Sequence, residues 1–227
     1  MQMSKIEKWI LIVLSALLFI ALALVAGAPI FSDEFLYIDT GLRDAPLPNY
    51  GNRYFHIYLQ KFFVSVFPTP LTGIRVFWSL LITTTAVLIY TNARTFTKKS
   101  TVFHGLLAVV IFFSYKLVRE YSGEPAVDIT AMMMTTIYLT VYLWAVRHPK
   151  KERKALFVLG ALAFLSFKTK ETTIFINVLL LGFLVEQLKS KKRFRELFHF
   201  YTPFLQGAAA GIGLFIILDS VFLGKPF

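Results

Sequence analysis

Residues 9–28 read WILIVLSALLFIALALVAGA, twenty consecutive residues without a charge. As a helix rising about 1.5 Å per residue, such a run covers roughly 30 Å, the thickness of a bilayer's hydrocarbon core. The pattern recurs along the chain: further apolar runs lie at 71–93, 102–118, 126–146, 155–167, 172–188 and 202–223. Hydrophobic residues make up 56% of the chain, and its mean hydropathy is +0.64. The runs predict an all-α, polytopic membrane protein of about seven transmembrane helices. One check concerns the first of them. Lys5 and Lys8, an apolar core and Ala26-Gly27-Ala28 imitate a cleaved secretory signal. The core is too long for that, Pro29 follows the would-be cut, and more spans follow, so a retained helix is expected.

A net charge of +11 from 24 bases and 13 acids invites a nucleic-acid reading, but its distribution argues against one. With the N-terminus inside and the runs alternating, the inner segments hold Lys5, Lys8, Arg94, Lys98 and Lys99. The inner side also takes the bases of 147–154 and 189–195. Set against Glu7, Glu152, Glu186 and Glu196, these fifteen bases account for the whole +11, and the outer segments sum to zero. That is the positive-inside signature of membrane topology, not a basic face for nucleic acid. The absence of cysteine excludes disulfides and thiolate metal sites.

The first outer loop, 29–70, opens with Ser32-Asp33-Glu34-Phe35-Leu36-Tyr37. Adjacent carboxylates at a membrane surface are costly against lipid and cheap in water. After a turn around Pro46–Asn52, Phe55, Tyr58, Leu59, Phe62, Phe63 and Val66 recur at helical spacing, with Arg53, His56, Gln60 and Lys61 largely elsewhere. This predicts an amphipathic helix in the interface plane. The run 155–167 is short for a full crossing, and Lys168-Thr169-Lys170-Glu171 follows it directly. Its turn is therefore expected below the outer lipid surface, in a wet or protein-lined cavity. Gly207 and Gly211 form a GxxxG pattern suited to close helix packing.

On this topology Asp33, Glu34, Asp128 and Glu171 share the outer side with Arg53, Arg75, Lys168 and Lys170, which suggests a polar cavity opening outward. Simpler roles compete: Asp33 as a helix cap, the two lysines as interfacial anchors. The histidines lie far apart with no ligand spacing, so no histidine metal site is expected.

In order, SDEFLY, the segment GNRYFHIYLQKFF, an Arg-containing helix, a helix beginning near Asp128, and FKTKET resemble the N-terminal portion of a GT-C fold membrane glycosyltransferase, in the protein O-mannosyltransferase and aminoarabinose transferase branch. The resemblance covers nearly the whole chain in arrangement. It implies a polyprenyl-phosphate-linked sugar as donor and a protein, glycan or lipid acceptor on the extracytoplasmic face. It makes Asp33 the catalytic base with Glu34 beside it. It makes Lys168 and Lys170 donor-phosphate contacts, with Arg75 and Arg53 behind them, and it puts Tyr37, Asp128 and Glu171 in the substrate cavity. No cofactor is implied, and a divalent ion held by acidic loop residues is left open, as in the oligosaccharyltransferase branch of the fold.

Members of the family continue through more helices than this chain has. Residues 1–227 are thus expected to be one transmembrane module, incomplete at the C-terminus, whose fold a second membrane chain could complete. The rival readings are a non-catalytic membrane subunit and a transporter of lipid or solute. A transporter predicts paired halves with charges at the midplane, and no paired halves are evident.

Overall fold

A computed structural model describes residues 3–25, 53–96, 99–115, 127–182, 185 and 194–223. Asp33, Glu34, Tyr37 and most of the first outer loop lie outside these residues, as does most of the inner segment 189–195. The described chain is helical: α1 (Lys5–Val25), α2 (Tyr54–Val66), α3 (Pro70–Thr95), α4 (Val102–Ser114), α5 (Val127–Arg147), α6 (Glu152–Phe167) and α7 (Phe194–Leu223). A short 3-10 turn (Pro149–Lys151) precedes α6, and a longer 3-10 segment (Glu171–Leu179) follows it.

Of the seven expected spans, four are helices long and apolar enough to cross a membrane, among the described residues: Lys5–Val25, Pro70–Thr95, Val127–Arg147 and Phe200–Val221. The runs at 102–118, 155–167 and 172–188 form shorter elements. The chain divides into two units, the first comprising Met1–Leu47 and His56–Thr136, the second Pro48–Phe55 and Ile137–Phe227.

In the first unit, α3 starts where its sequence says it should. Thr69 is extended and its hydroxyl accepts from the Thr72 N–H at 3.2 Å, while Pro70 occupies the first turn, where its missing N–H costs nothing. Around α3 a core forms from Leu22, Phe77, Trp78, Leu81, Ile82, Ala86, Phe112 and Ile129. Two glycines set the approach distances. A Cβ at Gly73 would lie 2.6 Å from the Phe63 carbonyl oxygen, and one at Gly105 would lie 2.6 Å from the Tyr90 ring.

The start of α1 is fastened to the end of α3 by charge. Arg94 Nε donates to Glu7 Oε1 at 2.7 Å, Tyr90 donates its hydroxyl hydrogen to the same oxygen at 3.0 Å, and Arg94 Nη1 reaches the Ser100 carbonyl at 2.8 Å. The two charged side chains are only 10% and 9% exposed. Glu7→Ala therefore strands a buried guanidinium. It is expected to cost about 3–5 kcal/mol in thermal unfolding in detergent, with Lys5→Ala, at an exposed site, near neutral. Equal melting of the two variants would show that the pair contributes nothing.

The early part of α2 departs from the amphipathic expectation. Its apolar face is buried, but so are His56 (0% exposed) and Gln60 (2%), which the sequence placed largely off that face. The reason is a polar partner across the core: His56 Nδ1 lies 2.8 Å from Thr130 Oγ1 on α5, and its ring sits 5.8 Å from that of Phe77. Neither amide atom of Gln60 has a hydrogen-bond partner among the described residues.

The second unit is organised by α6 against α7. A Cβ at Gly207 would collide with the Phe157 carbonyl oxygen, and one at Gly160 with the Phe204 carbonyl oxygen. A Cβ at Gly211 would be 3.0 Å from the Ala161 carbonyl oxygen. The backbones are thus in contact, as the GxxxG pattern expected. Both helices climb in the same direction, because Phe157 meets Gly207 and Ala161 meets Gly211. Tyr138, Ala145, Ala155, Leu156 and Leu159 form the adjoining core.

Candidate functional site

The C-terminal end of α6 carries the Lys168-Thr169-Lys170 turn, and its backbone is held at every step. Lys168 N–H bonds the Phe164 carbonyl at 3.0 Å, and Thr169 and Lys170 N–H both bond the Ser166 carbonyl, at 2.9 and 3.0 Å. The Thr169 hydroxyl, fully buried, turns back to the Leu165 carbonyl at 3.0 Å. On the far side the Thr173 hydroxyl donates to the Lys170 carbonyl at 2.7 Å. Two half-buried lysines thus flank a buried threonine on a fixed backbone.

Arg53 comes to the same place. The Phe55 N–H, in the first turn of α2, donates to the Lys168 carbonyl at 3.1 Å. A stretch over a hundred residues earlier is thereby tied to the lysine turn, with half-buried Arg53 two positions before the bond. Three bases, Arg53, Lys168 and Lys170, gather at one end of the second unit, with exposed Glu171 beside them. Arg75, half-buried on α3, and Asp128, exposed in the first turn of α5, belong to the first unit.

Lys168 has a further neighbour that the sequence reading passed over. Its ammonium lies 4.9 Å from the ring centroid of Phe215 on α7, within cation–π range. Phe215 is buried and meets Phe164 edge-on, with ring centroids 6.0 Å apart. One turn beyond Phe215 stands Asp219, 1% exposed. The signal was present in the four-residue spacing of Gly207, Gly211, Phe215 and Asp219, which sets one stripe of α7.

The 3-10 segment after the turn runs nine residues, longer than such helices usually persist. Its polar groups are partly fixed from outside: the Tyr138 hydroxyl donates to Asn177 Oδ1 at 2.9 Å. Elsewhere, an apolar cleft of about 370 Å³ lies between α1, α3 and α4, lined by Glu7, Leu14, Tyr90 and Leu106 among others. Its walls are unsuited to a phosphate. No cluster of three or more metal-ligating side chains occurs among the described residues.

What this arrangement can do is gather an anion: a rigid turn presents two ammonium groups, and a guanidinium stands nearby. No curated protein and no solved structure matches the chain. A protein-family comparison does match, over residues 54–218, from the first turn of α2 to the residue before Asp219. The matched span holds Arg75, Asp128, Lys168, Lys170 and Glu171 and begins after Asp33, Glu34, Tyr37 and Arg53. By that match the chain, an integral membrane protein with a basic turn at the end of α6, belongs to the dolichyl-phosphate-mannose-protein mannosyltransferase family, glycosyltransferases that use polyprenyl-phosphate sugar donors.

Proposed function

We propose that this chain supplies the donor-binding part of a glycosyltransferase that moves a sugar from a polyprenyl-phosphate carrier to an acceptor on the extracytoplasmic face. The observation that carries this reading is the backbone bond from Phe55 to Lys168, which gathers Arg53 with Lys168 and Lys170. The acceptor is a protein, glycan or lipid hydroxyl. The N-terminus is cytoplasmic, as the distribution of Lys and Arg favours. About seven spans cross the membrane, and α2 lies at the outer interface.

The chemistry needs a single base. Asp33 takes the proton from the acceptor hydroxyl as its oxygen attacks the anomeric carbon. The bond from that carbon to the phosphate oxygen breaks, its electron pair leaves with the phosphate, and the configuration inverts. Glu34 orients Asp33 or the acceptor. No acid is needed for the leaving group, because phosphate departs as a stable anion, whereas glycoside hydrolysis uses two carboxyl groups. Lys168, Lys170 and Arg53 stabilise the charge that grows on the phosphate. Tyr37 and Glu171 line the substrate cavity.

The test is mannosyl transfer from a polyprenyl-phosphate mannose donor by the full-length protein. Lys170→Ala is expected to lower kcat/KM for the donor about 100-fold, the scale of one lost charge-stabilising group. Wild-type kinetics in this variant would remove the lysine turn from donor binding.

A further inference from the structure

We propose that Asp219 is the buried counter-charge of Lys168 and fixes its ammonium for the donor phosphate, a positioning role that rests on the function proposed above. The inference comes from helix register. Along the contact between α6 and α7, Phe157 faces Gly207 and Ala161 faces Gly211, the same offset in both cases. Phe164 meets Phe215 one step further up. Carried on by one turn, the same offset sets Asp219 opposite Thr169, in the middle of the lysine turn.

Burial supplies the second argument. Asp219 is 1% exposed near the end of a membrane-crossing helix. An ionised carboxylate so placed is very costly unless a cation and hydrogen bonds compensate it. Lys168 is the cation that the register assigns to it. Its ammonium already rests over Phe215, and residues four apart on a helix stand about 5–6 Å from each other on one face. An ammonium has three N–H donors, so one can meet Asp219 while the others remain for a phosphate. The flat Phe215 ring beneath limits where that ammonium can go.

This assigns different work to the two lysines. Lys170 supplies charge from a backbone already fixed by Ser166 and Thr173. Lys168 is aimed by its side-chain partners on α7.

The test has two arms, both in the full-length protein. In the first, thermal unfolding in detergent is measured for Asp219→Asn, Lys168→Met and the double variant. Each single change is expected to lower Tm by several degrees, and the double to melt no lower than the worse single. Lys170→Met combined with Asp219→Asn is expected to be additive. Additive losses for Asp219 with Lys168 would overturn the pairing. If the single variants fail to fold, the exchanged pair Asp219→Lys with Lys168→Asp is expected to recover folded protein, and its failure to do so also counts against the pairing.

In the second arm, transfer from polyprenyl-phosphate mannose is measured. Asp219→Asn is expected to lower kcat at least ~10-fold without raising the donor KM, since charge is kept and aim is lost. Asp219→Glu is expected to restore most of it. An unchanged kcat in Asp219→Asn would leave the carboxylate a purely structural partner and overturn the positioning role. A wild-type protein that transfers nothing would sink the proposed function, while the unfolding arm would still decide whether Asp219 and Lys168 pair.

Discussion

Asp33→Asn in the full-length protein should lower transfer from a polyprenyl-phosphate sugar by two to four orders of magnitude, the range typical of a lost general base. The amide keeps the size of the carboxylate and can still hydrogen-bond an acceptor hydroxyl, but it cannot take its proton. Donor KM should move little, because the proposed phosphate contacts, Arg53, Lys168 and Lys170, are untouched. Protein yield should be unaffected, since the change keeps the size of the side chain. Glu34→Gln should cost less, as befits an orienting group. If Asp33→Asn transferred at the wild-type rate, the base would have to be sought elsewhere, with the carboxylate of Asp128 first in line.

A second large effect, on stability, is expected at Gly207. Leucine there would drive its Cβ into the Phe157 carbonyl oxygen, and that atom belongs to backbone and cannot rotate away. The variant must part α6 from α7, at a cost of about 3 kcal/mol or more, beyond ordinary overpacking. Gly213 offers a sharp control on the same helix, because nothing lies within 4 Å of a Cβ built there. Gly213→Ala should be neutral or slightly stabilising through better helix propensity. Melting temperature and monodisperse yield in detergent distinguish the cases, and equal behaviour of Gly207→Leu and Gly213→Ala would refute the close packing. Separation of the two helices also moves Phe215 and Asp219 off the lysine turn, so residual Gly207→Leu protein should bind donor poorly.

These two sites show how unevenly the molecule was legible. Membrane residence, helical class and the glycine contact could be read directly, because each depends on a local pattern: run length, charge in short segments, four-residue spacing. Register across helices could not. Whether Arg53 reaches Lys168 depends on a backbone bond between stretches over a hundred residues apart, and no periodicity reports it. His56 looked like part of a polar flank on α2 because its partner, Thr130, lies on α5. Glu7 and Arg94 lie near the ends of their helices by sequence alone. Their ion pair followed only when α1 and α3 packed side by side.

The sequence by itself determined that the chain is helical and lives in a membrane, which end of each helix carries charge, and that lysines follow a short helix. Those properties arise from the transfer of each segment between water and lipid, which acts on composition alone. Tertiary structure decided which charges meet. Parallel packing of α6 on α7 set Phe215 against Lys168, while a single backbone bond drew in Arg53. Charges on separate helices converge only when the helices are seated against one another, and the fine spacing of that seat is fixed by glycines whose missing side chains let two backbones touch.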